Sequence, residues 1–226
     1  FFFQAYDGIR DPLWSRGLGD VYKRQIIKHG TKIMENPKGY IIYIKNHEYS
    51  VQWANEALAS GKALGWNLEL YEGIDGTKQS LDDFGVKIYQ GSKKCVRLLS
   101  RPGTQGCFLS QYHLWKQCAE QKNNICIFEH DVLFKKHFSI GKNFKDVIKF
   151  EGFRPSKPMN VGQWWEGARA YCITPAGAKK IVRWIDKNGA MPADWCLNNG
   201  ICNVDFDLDN KVTFSKKDFS FTKDYK

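Results

Sequence analysis

Hydrophobic positions along this chain change period several times, and each change marks an element. Tyr40, Ile41, Ile42, Tyr43 and Ile44 form an unbroken apolar run inside residues 39–46, which predicts a buried strand. Val51, Ala54, Leu58 and Leu64 then recur at helical spacing, predicting a helix over 48–64 that Gly65 ends. Residues 66–71 alternate enough for a second strand, closed by the turn Gly73-Ile74-Asp75-Gly76. Such a β-α-β opening suits a nucleotide-binding α/β layer. Residues 79–106 lack a period and carry Gly91, Pro102, Gly103 and Gly106, which predicts a loop.

From Gly106 the pattern sharpens. Phe108, Leu109, Tyr112, Leu114, Trp115 and Cys118 fall on helical spacing, and residues 121–124 are a polar break. Ile125, Cys126, Ile127 and Phe128 form a short apolar run, as expected of a strand covered on both faces. Glu129-His130-Asp131 follows where that strand stops, and Val132, Leu133 and Phe134 resume the apolar pattern. Residues 145–150 predict another strand and 152–163 a proline-containing loop. Residues 167–174 read as a strand that runs into a helix, with Thr174 as N-cap and Pro175 in the first turn. Ala178, Ile181, Val182 and Ile185 mark the inner face of that helix.

The composition fits one ordinary folded core: 226 residues, 42% hydrophobic, 15% aromatic, with eight Trp. No run approaches the roughly 20 apolar residues of a membrane span. The formal charge of +10 suits anionic nucleotide donors, acidic glycans or a phospholipid headgroup layer. The lysines come in dispersed pairs such as Lys93-Lys94 and Lys179-Lys180, which argues for a solvated surface and against a focused nucleic-acid patch. Seven cysteines, an odd number with no CxxC spacing, do not suggest a disulfide framework or a zinc site, and reduced, intracellular thiols are the default. The absence of GxxxxGK[ST], GxSxG and HExxH removes P-loop, serine-hydrolase and zincin chemistry.

Candidate chemistry concentrates at Glu129-His130-Asp131. In open α/β sheets ligands bind outside the carboxyl ends of strands, and carboxylates there could hold a divalent cation and, through it, a diphosphate. Asp194 precedes an apolar turn, so it reads either as a helix N-cap or as a carboxylate facing an acceptor hydroxyl. Asp205, Asp207 and Asp209 alternate like one face of a strand but lack the Gly and distal Glu of a calcium loop. A solvated edge strand is the expected reading there. Trp164 and Trp165 read first as core packing, with a sugar-stacking platform as the alternative.

Gly106-Cys107-Phe108-Leu109-Ser110, followed by a strand ending in Glu129 and Asp131, resembles the family-25 glycosyltransferases, which include lipooligosaccharide and collagen galactosyltransferases. The family's motifs read Gly-Cys-Phe-Leu-Ser-His and Glu-Asp-Asp, so Gln111 stands in place of His and His130 in place of Asp. The Tyr171 strand, the following Gly-Ala-Lys-Lys helix and the Pro192-Ala193-Asp194 segment extend the resemblance. It implies a GT-A-like single α/β domain over 34–226, with a mixed, mostly parallel sheet flanked by helices and a Rossmann-like nucleotide-binding half. It also implies metal-assisted transfer of galactose or glucose from a UDP-sugar to a glycan, glycolipid or glycoprotein acceptor. Asp131, Glu129 and His130 are the expected ligands of Mn²⁺ or Mg²⁺. Asp194 and Asp131 are the expected catalytic residues, and Glu129, Asp131 and Ser110 the donor contacts.

A cytoplasmic place follows from this reading, and glycolipid acceptors are compatible with peripheral association at a membrane. Two other readings compete: a degenerate relative that binds nucleotide-sugar or glycan without turnover, and a basic nucleic-acid-binding module. Residues 1–25 resemble a translated sequencing-adapter stretch of metagenomic reading frames. Residues 1–33 are therefore set aside as non-native or disordered, with Met34 as the expected start.

Overall fold

Two apolar strands that tolerate no polar face organise the domain. β1 (Lys38–Tyr43) and β3 (Ile125–Glu129) lie side by side and parallel, so each needs helices above and below. The computed structural model describes residues 36–140, 143–151 and 162–215. The expectations for residues 1–33, for Met34, for most of the 152–163 loop and for the tail past 215 lie outside them.

After β1 come α1 (Glu48–Ala63) and β2 (Leu68–Glu72). The stretch expected to be a loop holds a 3-10 turn (Asp82–Phe84), α2 (Lys93–Leu99) and the first turn of α3 (Pro102–Glu120). Ser92 caps α2 by accepting from Cys95 N–H at 3.3 Å, and Cys95 and Leu99 supply its short buried stripe. Seven residues were too few for the periodicity to show. α3 begins at Pro102, not Gly106, because proline is tolerated in the first turn, where an N–H has no intrahelical partner.

β3 is followed by β4 (Val132–Phe134), β5 (Val147–Lys149), β6 (Ala170–Ile173), α4 (Pro175–Asn188), α5 (Ala193–Cys196), β7 (Val204–Phe206) and β8 (Val212–Phe214). Six strands form one sheet in the order β2-β1-β3-β6-β5-β7, and β4 pairs with β8 in a second, two-stranded sheet. Only β6 runs antiparallel to its neighbours β3 and β5. This is the mixed, mostly parallel sheet flanked by helices expected of a GT-A-like domain. Thr174 caps α4 through Gly177 N–H, as its sequence predicts.

Both sheet faces are covered. Tyr40, Ile42, Ile125, Ile127 and Tyr171 pack with Phe108, Leu114 and Trp115 of α3. Ile41, Cys126, Phe128, Ile148 and Cys172 pack with Ala54, Ala57, Trp66 and Phe134. Each large apolar side chain buried this fully contributes about 1.5–3 kcal/mol. The inner face of α1 differs from the expected stripe: Ser50, Trp53, Ala54, Ala57 and Gly61 are buried rather than Val51, Leu58 and Leu64. Towards its C-terminal end small residues win, because the helix there lies close to Leu68 and Phe134. A Cβ on Gly61 would run into Leu68 and Phe134. All seven cysteines are free, and Cys118, Cys126 and Cys172 are buried as small apolar residues. Among the described residues no helix is long and apolar enough to cross a membrane.

The aspartate alternation near the C-terminus is a solvated edge only in part: Asp205 lies on the edge strand β7 and Asp209 at the surface, but Asp207 is not solvated. Asp207 is buried and pairs with Lys211, only 2% exposed, at 2.5 Å, while Asp209 reaches the same ammonium from the surface at 3.0 Å. Lys211 O also accepts from Lys135 N–H, and β4 and β8 pair just beyond it. Replacing Lys211 by Met leaves a buried carboxylate without its cation, and urea unfolding is expected to show a loss of about 3–5 kcal/mol. Adding Asp207→Asn removes both charges and is expected to recover most of that loss.

Candidate active site at the carboxyl edge of the sheet

The antiparallel strand creates the site. β3 and β5 both end at the same edge, and β6 starts between them. Glu129 N–H donates to Arg169 O at 2.8 Å, so Arg169 lies beside the end of β3. On its other side, Glu151 accepts from Arg169 N–H at 2.7 Å and from its Nε at 3.3 Å. Arg169 Nη1 lies 3.9 Å from Asp131 Oδ2, and its Cζ stands 3.6 Å from the centre of the Phe214 ring. One guanidinium thus stands among the carboxylates that close two parallel strands. Gly167, two residues earlier, has φ +83°, and a Cβ there would strike the Glu151 carboxylate, so the turn requires glycine.

Glu129 faces α3, where Cys107 Sγ donates to Oε1 at 3.7 Å. Burial pushes the Glu129 carboxyl up to about 8, and the negative charges of Asp131 and Glu151 add to the rise, with Arg169 opposing. His130 lies on the opposite face, its ring 5.4 Å from that of Trp53 in α1 and nearly parallel to it. Strand alternation explains the split: neighbours in sequence point to opposite faces.

Ser110 serves the β2 turn. Its hydroxyl donates to Gly106 O at 2.7 Å and accepts from Ile74 N–H at 2.8 Å. Gly106 and Gly76 meet backbone to backbone beneath it, where neither could carry a Cβ. Gln111 is fully buried and ties α3 to β6 and to the turn before it. Its amide donates to Ala168 O at 3.2 Å and accepts from the Tyr171 hydroxyl at 2.8 Å.

Asp194 sits inside α5 and is not its cap, since Pro192 holds that position. Burial pushes its carboxyl up to about 6, while the Lys149 charge and backbone N–H groups pull it down and Glu151 pushes it further up. Glu151 therefore acts electrostatically on both Glu129 and Asp194. Glu129, Asp131 and Asp194 gather around Glu151, Arg169 and Lys149, while Ser110 and His130 are engaged elsewhere. Trp164 packs 5.3 Å from Trp195 and Trp165 packs 5.2 Å from Phe206, so both take part in ring packing.

Among the described residues no three His, Cys, Asp or Glu side chains converge as a metal cage. Asp131 and Glu129 still fit a hard divalent cation of another kind. Each opposes the other's ionisation, which a cation would relieve, and Mg²⁺-like ions commonly take one or two carboxylates and complete their shell with substrate phosphates.

Lys149, Glu151 and Arg169 escaped the sequence reading. One signal was available: Lys149 interrupts the apolar run Val147, Ile148, Phe150, where a charge is expensive unless it is paired.

The profile of the family described as glycosyltransferase family 25 (LPS biosynthesis protein) matches residues 37–155, which includes Glu129, Asp131, Lys149 and Glu151. Arg169 and Asp194 lie beyond the match. No curated protein sequence matches the chain. Solved structures that resemble it include the galactosyltransferase LgtC in complex with donor and acceptor sugar analogs, at 11% identity over 75% of this chain and 72% of that one, TM-score 0.41. Another is a mutant Drosophila β1,4-galactosyltransferase 7 in complex with manganese, UDP-Gal and xylobiose, at 9% identity over 77% and 66%, TM-score 0.38.

Proposed function

The chain belongs to glycosyltransferase family 25, and from that membership we propose that it transfers galactose or glucose from a UDP-sugar to a hydroxyl of a glycan or glycoconjugate. The observation that carries the reading is the charged cluster at the carboxyl edge of the sheet, at the β1/β3 switch point where open α/β sheets bind nucleotides.

The residues divide into two groups. Asp131 and Glu129 would hold Mn²⁺ or Mg²⁺ on the donor side. When bound, such an ion supplies positive charge to the departing UDP. Arg169 adds a permanent cation between Asp131 and Glu151. Asp194 faces the acceptor. Its carboxylate takes the proton of the attacking hydroxyl as the new glycosidic bond forms and the bond to UDP breaks. A pKa of about 6 leaves it mostly ionised at neutral pH yet more basic than an ordinary aspartate. Acceptors on glycolipids would bring the basic surface to a membrane.

Calorimetric titration with UDP tests the donor half. UDP is expected to bind more tightly with Mn²⁺ present, and Asp131→Asn to remove that enhancement. No UDP binding under either condition overturns the proposal.

A further inference from the structure

Glu151 lies two residues past the end of β5 and is only 5% exposed. Its carboxylate is spent on one neighbour and the backbone beside it. Oε1 accepts from Arg169 N–H at 2.7 Å and from Ala170 N–H at 3.4 Å, and Oε2 accepts from Arg169 Nε at 3.3 Å. The seat is shaped for that carboxylate, since a Cβ on Gly167 would strike it. The turn at 165–167 is fixed from below by the buried Lys149 ammonium, which donates to the carbonyls of Trp165, Glu166 and Gly167. The Phe214 ring, 3.6 Å from Arg169 Cζ, holds the guanidinium from a further side.

An arginine that serves structure alone commonly gives its carboxylate two parallel N–H bonds. Here Glu151 takes only Nε of the guanidinium. Nη1 meets Asp131 Oδ2 at 3.9 Å, beyond hydrogen-bond length, and the Arg169 side chain is 30% exposed. The outer edge of a fixed guanidinium thus stands at the carboxyl edge of the sheet with its donors unspent. Two nitrogens preset in one plane match two oxygens of a phosphate.

We infer that Arg169 reads a phosphate of the nucleotide donor through its Nη edge without needing a metal, and that Glu151 is the positioning residue that aims it. This rests on the reading of this edge as a nucleotide-sugar site. The family match ends at residue 155, short of Arg169, so the assignment stands on the geometry.

Calorimetric titration in EDTA with UDP and with uridine tests it. Wild type is expected to bind UDP more tightly than uridine, and equal affinities overturn the inference. Arg169→Met is expected to cut the preference by about 10–100-fold, the scale of hydrogen bonds to a charged group, with uridine affinity unchanged. Arg169→Lys keeps the charge without the fork and is expected to recover only part of it. Glu151→Gln can still accept from the backbone but sets an amide N–H against Nε, so part of the preference is expected to go. Because Glu151 acts through Arg169, the double variant is expected to bind UDP no more weakly than Arg169→Met alone. A Glu151→Gln loss shared by uridine, or added to that of Arg169→Met, overturns the positioning role. The Arg169→Met loss is expected to persist in an Asp131→Asn background, and recovery there would trace it to an unmasked Asp131 charge and overturn the phosphate contact. If Arg169→Met does not fold, an unchanged preference in both Arg169→Lys and Glu151→Gln overturns the inference. Mn²⁺-dependent UDP binding that ignores Arg169 sinks the inference and leaves the proposed function standing. An Arg169-dependent preference without any Mn²⁺ enhancement supports the inference and sinks the metal-assisted reading instead.

Discussion

Asp194→Asn is expected to lower kcat by about 10²–10⁴-fold, the usual contribution of a positioned general base. The amide keeps nearly the same shape, so packing is retained while proton acceptance is lost. Donor KM should change little if Asp194 acts on the acceptor, as proposed. Stability should move in the other direction. The folded-state pKa of Asp194 is raised to about 6, chiefly by burial, so ionising it is harder in the folded protein than in the unfolded chain. Wild type therefore loses stability, relative to the asparagine variant, as pH rises from the ordinary carboxylate range of about 4 through about 6. Above that window the gap is constant, and below it the gap vanishes. Chemical unfolding at pH 4 and pH 8 checks the sign. A residue that weakens the fold when ionised, yet is needed for turnover, is what a functional site selects. A variant that loses activity together with stability at pH 8 would mark Asp194 as structural.

Asp131→Asn is expected to reduce turnover by about 10²–10³-fold, the scale on which one electrostatic stabiliser of a developing negative charge acts. The substitution keeps a polar oxygen near Arg169 and removes the negative charge that a divalent cation requires. Asp131 O is already engaged by Ser215 N–H at 2.9 Å, and that backbone contact survives the change. The Arg169–Asp131 distance of 3.9 Å is long for an ion pair, and the Glu151 contact at 3.3 Å holds the guanidinium independently. The fold is therefore expected to survive, and the loss to appear in the Mn²⁺-stimulated part of the rate. An Mn²⁺ response of wild-type size in the variant would remove Asp131 from the donor site.

The sequence displayed the fold better than the site, for physical reasons. Strands covered on both faces write themselves as apolar runs, so β1, β3 and β6 were legible, as was the Thr174-Pro175 start of α4. Short helices do not complete enough turns to show a period, so α2 was read as loop. The inner face of α1 was misjudged because hydrophobicity ranks Val51 and Leu58 above Ala57 and Gly61, whereas close approach to Leu68 and Phe134 favours small residues. At the site, Glu129 and Asp131 were found because one motif carries both. Arg169 was not, because its place depends on β6 running antiparallel between two strands far from it in sequence. Asp207 was read as solvated for a similar reason: alternating carboxylates resemble an exposed edge until the chain folds over one of them and Lys211 pairs with it.

The most direct test of the account is UDP release from UDP-galactose and UDP-glucose, with and without Mn²⁺ and with a panel of glycan acceptors, in wild type, Asp131→Asn and Asp194→Asn. The account predicts acceptor-stimulated, Mn²⁺-dependent release from at least one donor, lost in both variants. UDP binding without release under any of these conditions would contradict it and leave a binding protein on a transferase fold.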